Sequence, residues 1–192
     1  MNNEIKDFFN QISDNWDNSK DNFTIIKELF DEIDIKDNDK VLDLGCGKGV
    51  ITPLLYEKSK TKVIAIDISE KMIEGAKGKY PDDSKYEFIC DDFYIHQFDH
   101  NFDLIVVYNA YPHFLDIRSF VNKCNEILND DGKLVIMHSL SRERLTNHHQ
   151  NITKISRNIL EPLEESKPYL HNFKLDKWID SDDRYLMVLK KF

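Results

Sequence analysis

A chain of 192 residues can bury a substantial core and is most simply one domain spanning 1–192. With 41% hydrophobic and 32% charged residues it is neither a disordered segment nor a membrane-embedded one, and no apolar run approaches a bilayer span. The net charge of −9 argues against a broad nucleic-acid surface, which needs a basic face; the densest basic stretch, Lys58-Ser59-Lys60-Thr61-Lys62, reads as a solvated turn. Three cysteines (Cys46, Cys90, Cys124) show neither metal spacing nor a disulfide framework. With no signal sequence at Met1, they predict a reducing, cytoplasmic setting.

In chain order, Asp7 to Ile33 carries apolar residues at helical spacing and predicts two N-terminal helices within 1–35, broken around Asp17 to Asp21. Lys40–Leu44 is a strand, and Val50–Glu57 is helical with Pro53 tolerated in its first turn. Val63–Asp67 is a strand, Ser69–Lys79 a helix capped by Ser69, and Tyr86–Cys90 a strand. Phe102–Tyr108 reads as a fully buried strand, Asp116–Leu128 as a helix, Asp130-Asp131-Gly132 as a turn and Lys133–Ser139 as a strand. A largely helical insertion at 141–172 follows. The chain then ends in a hairpin, Phe173–Ile179 and Tyr185–Leu189, joined by Asp180-Ser181-Asp182-Asp183. Strands alternating with helices predict an α/β, doubly wound sheet of seven strands, mostly parallel with an antiparallel terminal strand.

The first strand runs into Val41-Leu42-Asp43-Leu44-Gly45-Cys46-Gly47-Lys48-Gly49-Val50. Gly45, Gly47 and Gly49 alternate strictly, unlike the G-x-G-x-x-G of dinucleotide sites, and let backbone approach a ligand closely. Asp43 ends the strand at the ligand's edge. The segment resembles the first motif of the class I S-adenosylmethionine (SAM)-dependent methyltransferases, and the resemblance covers nearly the whole chain. It implies a Rossmann-like fold, SAM as cofactor and methyl transfer as activity. The stretch from Phe8 to Asp17 looks like the entry helix of the menaquinone and ubiquinone C-methyltransferase subgroup.

Ligands of open parallel sheets bind outside the carboxyl ends of the strands, where the remaining candidates lie. Asp67, followed by Ile68, can accept both hydroxyl hydrogens of a ribose, as the family's acidic residue there does. Asp91-Asp92-Phe93 stands where the family has Gly-Asp-Ala. Alignment from Phe88 puts Asp92 on the functional aspartate, facing the adenine amine, with Phe93 against the ring. Asn109 lies where the cofactor's amino-acid end meets the acceptor. Gly132 stands where the family's turn before the fifth strand needs positive φ. Cys46 reads as a small apolar filler beside the cofactor.

A protic acceptor needs a route for its proton. Of seven histidines, His113 follows the fourth strand, His138 ends the fifth, and His148 and His149 lie in the insertion. His113 or His138 is the candidate base; His113, His138 and one of His148/His149 form the alternative of a three-imidazole metal site. An ordinary structural role for them stands beside both. Phe8, Phe9, Trp16, Tyr111 and His149 are the candidate acceptor pocket, and the N-terminal helices with the 141–172 insertion, which carries Ile152, Ile155 and Leu160, are expected to form a mobile lid. The expected acceptor is a small molecule, with neither nucleic acid nor membrane as partner. An NAD-dependent oxidoreductase is the alternative enzyme, disfavoured by glycine spacing and terminal hairpin. A non-catalytic SAM-binding regulatory module is the alternative outside catalysis.

Overall fold

The computed structural model describes residues 2–16, 23–149, 155–156 and 170–192. Its elements are α1 (Asn2–Ile12), a 3-10 turn (Ser13–Asn15), α2 (Phe23–Asp31), β1 (Val41–Leu44), α3 (Thr52–Ser59), β2 (Val63–Asp67), α4 (Glu70–Lys79) and β3 (Tyr86–Cys90). They continue with β4 (Phe102–Tyr108), a 3-10 turn (Tyr111–His113), α5 (Ile117–Ile127), β5 (Leu128–His138), α6 (Arg142–His149), β6 (Phe173–Asp180) and β7 (Tyr185–Lys191). The seven strands form one sheet in the order β3-β2-β1-β4-β5-β7-β6. All pairs are parallel except β5 with β7 and β6 with β7, so β7 is the one reversed strand.

Local chemistry sets the boundaries. Ser69 caps α4, its hydroxyl accepting from the Met72 amide at 3.2 Å, and Asp116 caps α5 by accepting from the Ser119 amide at 3.0 Å. The third helix starts at Thr52, two residues later than the expected Val50, because Gly49 in the left-handed region (φ +74°) delays helical geometry. The expected turn at 130–132 is an irregularity inside β5: the partners step from Phe102–Leu128 to Leu104–Lys133. The left-handed residue there is Asp131 (φ +63°), which corrects the expectation for Gly132. Gly132 is needed for closeness instead, since a Cβ would lie 2.8 Å from the Asn129 carbonyl oxygen.

Alternation along the buried strands divides the core into two layers. Ile105 and Val107 face Phe120, Val121 and Cys124 of α5, while Leu104 and Val106 face Ile26, Leu29 and Phe30 of α2 and Leu55 of α3. With helices on both faces, the carboxyl ends of β1, β2, β3 and β4 are the open edge of the parallel sheet. Among the described residues no helix is long and apolar enough to cross a membrane.

Candidate active site

A cleft enclosing about 1030 Å³ of empty space, mouth included, opens at those strand ends. Asp43, Gly45, Cys46, Gly47, Asp67, Ile68, Asp92, Phe93 and Asn109 all line it, as do Phe9, Trp16 and His113. Of the predicted cofactor residues only Gly49 is off the wall; its φ of +74° and a Cβ position 3.2 Å from Phe88 and Thr52 make it a packing glycine behind the loop. Gly45 (φ +73°) is similar, since a Cβ would sit 2.6 Å from the Ala110 Cβ. Gly47 (φ +53°) differs: nothing lies within 4 Å of its Cβ position. That empty direction is a cradle a side chain would fill, and it is where the loop backbone can approach a ligand.

The acids of the site are held in distinct ways. Asp43 is buried at 1% exposure and accepts from the Thr52 hydroxyl at 2.6 Å; burial pushes its carboxyl up to about 7. Asp67 is half-buried, its Oδ2 accepting from the Gly47 amide and its Oδ1 from the Ser69 amide, each at 2.9 Å. Burial raises its pKa and these bonds oppose that. Two backbone donors fix the carboxylate in place, and each oxygen keeps further acceptor capacity. Asp91 and Asp92 both reach the wall, but Asp91 is committed to His96 Nδ1 (2.8 Å) and to the Asp92 amide (2.8 Å), and His96 holds it below the usual carboxylate range. Asp92 accepts from the Tyr94 amide at 3.0 Å. Cys46 is buried and its thiol is pushed far up, as expected of a filler.

Asn109 takes a left-handed backbone (φ +53°), tolerated by Asn, and its carboxamide is matched to Ser139: Nδ2 donates to the hydroxyl and Oδ1 accepts from the amide, both at 3.0 Å. This clamp splices the ends of β4 and β5, so the residue shapes the cleft chiefly through its backbone.

The histidines separate. His113, on the 3-10 turn after β4, lies on the cleft wall with its ring 4.9 Å from that of Phe9, edge to face. Its Nδ1 is 2.8 Å from the Ile155 carbonyl oxygen, which can only accept, so Nδ1 carries the proton. His138 is 0% exposed, packs beside Tyr185 (6.2 Å) and is absent from the cleft wall. Its place in β5 turns the ring into the sheet's core, which corrects the expectation that it shares the pocket with His113. Among the described residues no group of three His, Cys, Asp or Glu is placed to hold a metal ion. The side chains of His148 and His149 lie outside the described residues, as do Ile152 and Leu160. Two aromatic candidates also fall away from the wall: Tyr111 is buried against Phe120 (5.4 Å), and Phe8 meets Phe9 edge-on (5.3 Å). Among the wall residues not foreseen are Ile5, Lys48, Tyr94 and Phe114. Phe114 was foreshadowed by its place one residue after His113; Lys48 had only its position between two glycines.

Strand order, glycine cradle and acidic strand ends together define the class I methyltransferase architecture. A family model described as a methyltransferase domain matches residues 42–136, from β1 to the core of β5. The chain belongs to the class I SAM-dependent methyltransferases, whose cofactor is SAM. It is 34% identical over 104 residues to the malonyl-[acyl-carrier protein] O-methyltransferase of Acetivibrio thermocellus, covering 54% of this chain and 36% of that one. It is 28% identical over 107 residues to the (S)-coclaurine N-methyltransferase of Thalictrum flavum, covering 54% and 30%. The chain thus spans less than half the length of these curated relatives. In fold it matches the N-methyltransferase NodS from Bradyrhizobium japonicum bound to S-adenosylhomocysteine, with a TM-score of 0.73 at 17% identity over 97% of this chain and 98% of that one.

Proposed function

We propose that this chain transfers the methyl group of SAM to a small-molecule acceptor docked at the mouth of the cleft. The observation that carries the reading is the open Cβ direction of Gly47 beside a carboxylate, Asp67, fixed by two backbone amides at 2.9 Å. Asp67 would hold the ribose hydroxyls, Asp92 and Phe93 the adenine, and the Gly45–Gly47 backbone with that of Asn109 the amino-acid tail. SAM supplies a methyl on a sulfonium, a leaving group good enough for in-line displacement. The protein's work is then alignment and exclusion of water. Phe9 and Phe114 provide apolar wall, and Trp16, 42% exposed, stands at the rim.

His113 is the base in this reading. With the proton on Nδ1, Nε2 of the neutral ring holds the lone pair that can take a proton from an acceptor O–H or N–H. Relatives named as an O-methyltransferase and as an N-methyltransferase are similar to this chain, which supports the cofactor half of the reading and leaves the accepting atom open to assay.

The test is calorimetric titration with SAM and S-adenosylhomocysteine, followed by detection of S-adenosylhomocysteine formed from a panel of small phenols, amines and carboxylic acids. Tight binding with turnover on one class establishes the enzyme. Tight binding with no turnover on any of them favours the regulatory module, and absence of binding overturns the cofactor site.

A further inference from the structure

The N-terminal helix is tied to the cofactor loop by a closed circuit of hydrogen bonds. Starting at Asn10, its Oδ1 accepts from the Ser69 hydroxyl at 2.7 Å. The Ser69 amide donates to Asp67 Oδ1, and Asp67 Oδ2 accepts from the Gly47 amide, each at 2.9 Å. The next residue, Lys48, sends its Nζ to the Ser13 carbonyl at 2.6 Å, and the Ser13 hydroxyl donates back to the Asn10 carbonyl at 3.1 Å. Side bonds brace the ring. Asn10 Nδ2 donates to Glu70 Oε2 (2.9 Å), Lys6 pairs with Glu70, and Lys48 Nζ also reaches the Trp16 carbonyl (3.4 Å).

The geometry is specific to these residue types. The Lys48 stem passes over Gly75 of α4, where a Cβ would lie 3.1–3.2 Å from three of its carbons; a larger residue there would crowd the path. The ammonium ends on carbonyls at the C-terminal end of the α1 segment, where a cation complements the exposed oxygens. Among the described residues Asn10 is the side chain of α1 that reaches the Ser69 cap, its Oδ1 also accepting from the Lys71 amide at 3.3 Å.

We propose that Lys48 and Asn10 are positioning residues that couple the N-terminal helix to the SAM site: they hold Ile5, Phe9 and Trp16 against the cleft, and cofactor retention depends on that hold. The inference rests on the cleft being the cofactor site, and nothing in it requires either residue to touch the cofactor. Because Asp67 is itself a link in the ring, its orientation and the helix position are set together.

The experiment compares the full-length chain with Lys48→Met, which keeps the stem and removes the charge, with Asn10→Ala, with the double variant, and with Lys48→Arg. Titration with S-adenosylhomocysteine is paired with hydrogen exchange over residues 2–16. Each single variant should weaken binding about five- to twenty-fold through faster dissociation and speed exchange across α1. The double variant should be little worse than the weaker single, because a released helix cannot be released again. Lys48→Arg should recover most of the affinity. In turnover, KM for SAM should rise while kcat at saturating SAM stays within about twofold. Unchanged affinity in both singles, with wild type binding and Asp67→Ala not, would overturn the coupling and leave the cofactor site standing. Fully additive losses with unchanged exchange in α1 would also overturn it, by showing that Lys48 acts on the ligand directly. A wild-type chain that does not bind S-adenosylhomocysteine would remove the cofactor reading and this one with it.

Discussion

Asp43 is buried, accepts a hydrogen bond from the Thr52 hydroxyl and has no ion pair among the described residues, so its charge is held at a cost. Its carboxyl is raised from an ordinary 3.8 to about 7. The folded chain therefore binds this proton more tightly than the unfolded chain does, and stability contributed by the protonated form fades as pH rises from about 4 to 7. The full linkage is about 4 kcal/mol, an upper bound for a relaxing site. Asp43→Asn keeps an acceptor for Thr52 and removes the charge. It should stabilise the ligand-free protein by about 1–3 kcal/mol at pH 8 and by little at pH 4, read from urea midpoints. Equal effects at both pH values would show that the carboxylate is solvated in the native state. The loop glycines make a second residue-level contrast. Gly47→Val should abolish cofactor binding and cost some stability through its left-handed backbone (φ +53°) while the protein stays folded, because its Cβ meets no atom within 4 Å. Gly45→Val should unfold or rearrange the loop, because its Cβ meets Ala110 at 2.6 Å. Asp67→Ala should weaken S-adenosylhomocysteine by about 1.5–3 kcal/mol, the scale of a charge-assisted bond. Calorimetry with circular dichroism on the three variants separates these outcomes.

At the scale of elements, the strand ends carried most of the information a sequence can hold. Alternating apolar runs located β2, β3 and β4 to the residue, and a polar residue at or just past each strand's end (Asp67, Asp92, Asn109) pointed at the cleft. What failed to show was direction perpendicular to the chain. His113 and His138 both follow or end a strand, yet one leaves on a 3-10 turn and faces the cleft while the other keeps strand alternation and enters the core. Tyr111 is lost for the same reason: the turn that exposes His113 two residues on turns Tyr111 inward onto Phe120. Lys48 and Asn10 were illegible because their partners are backbone carbonyls and a capping serine far away in sequence. The prediction that belongs here contrasts the two histidines. His113→Ala should lower kcat by about 10²–10⁴ and leave SAM affinity intact, as loss of a general base does. His138→Ala removes a wholly buried ring, so it should destabilise the fold by about 2–4 kcal/mol and leave kcat of the folded fraction near wild type. The reverse pattern, in rates and melting temperatures of the two variants, would reassign the base.

Across the whole molecule, the order β3-β2-β1-β4-β5-β7-β6 places the first and fourth strands side by side at the point where the chain reverses its winding. A doubly wound sheet leaves its crevice there, and the helices following β1 and β4, α3 and α5, pack on opposite faces of the sheet. This is why one cleft gathers residues from α1, the glycine loop, and the ends of β2, β3 and β4. The two core layers meet only through the sheet, so a ligand that bridges the glycine loop, Asp67 and Asp92 ties together strands backed by both layers. Cofactor binding should therefore stabilise the described domain as a unit and not merely stiffen a loop. At a ligand concentration of 100 times Kd the linkage is about 2.7 kcal/mol, which for a domain of this size corresponds to a rise in Tm of roughly 5–10 °C. S-adenosylhomocysteine should produce that shift with one cooperative transition, and exchange should slow in β1 and β4 as well as in α1. A shift confined to α1 and the glycine loop, with the core strands exchanging at their unliganded rate under conditions where they open by global unfolding, would mean that the cofactor's binding energy does not reach the sheet.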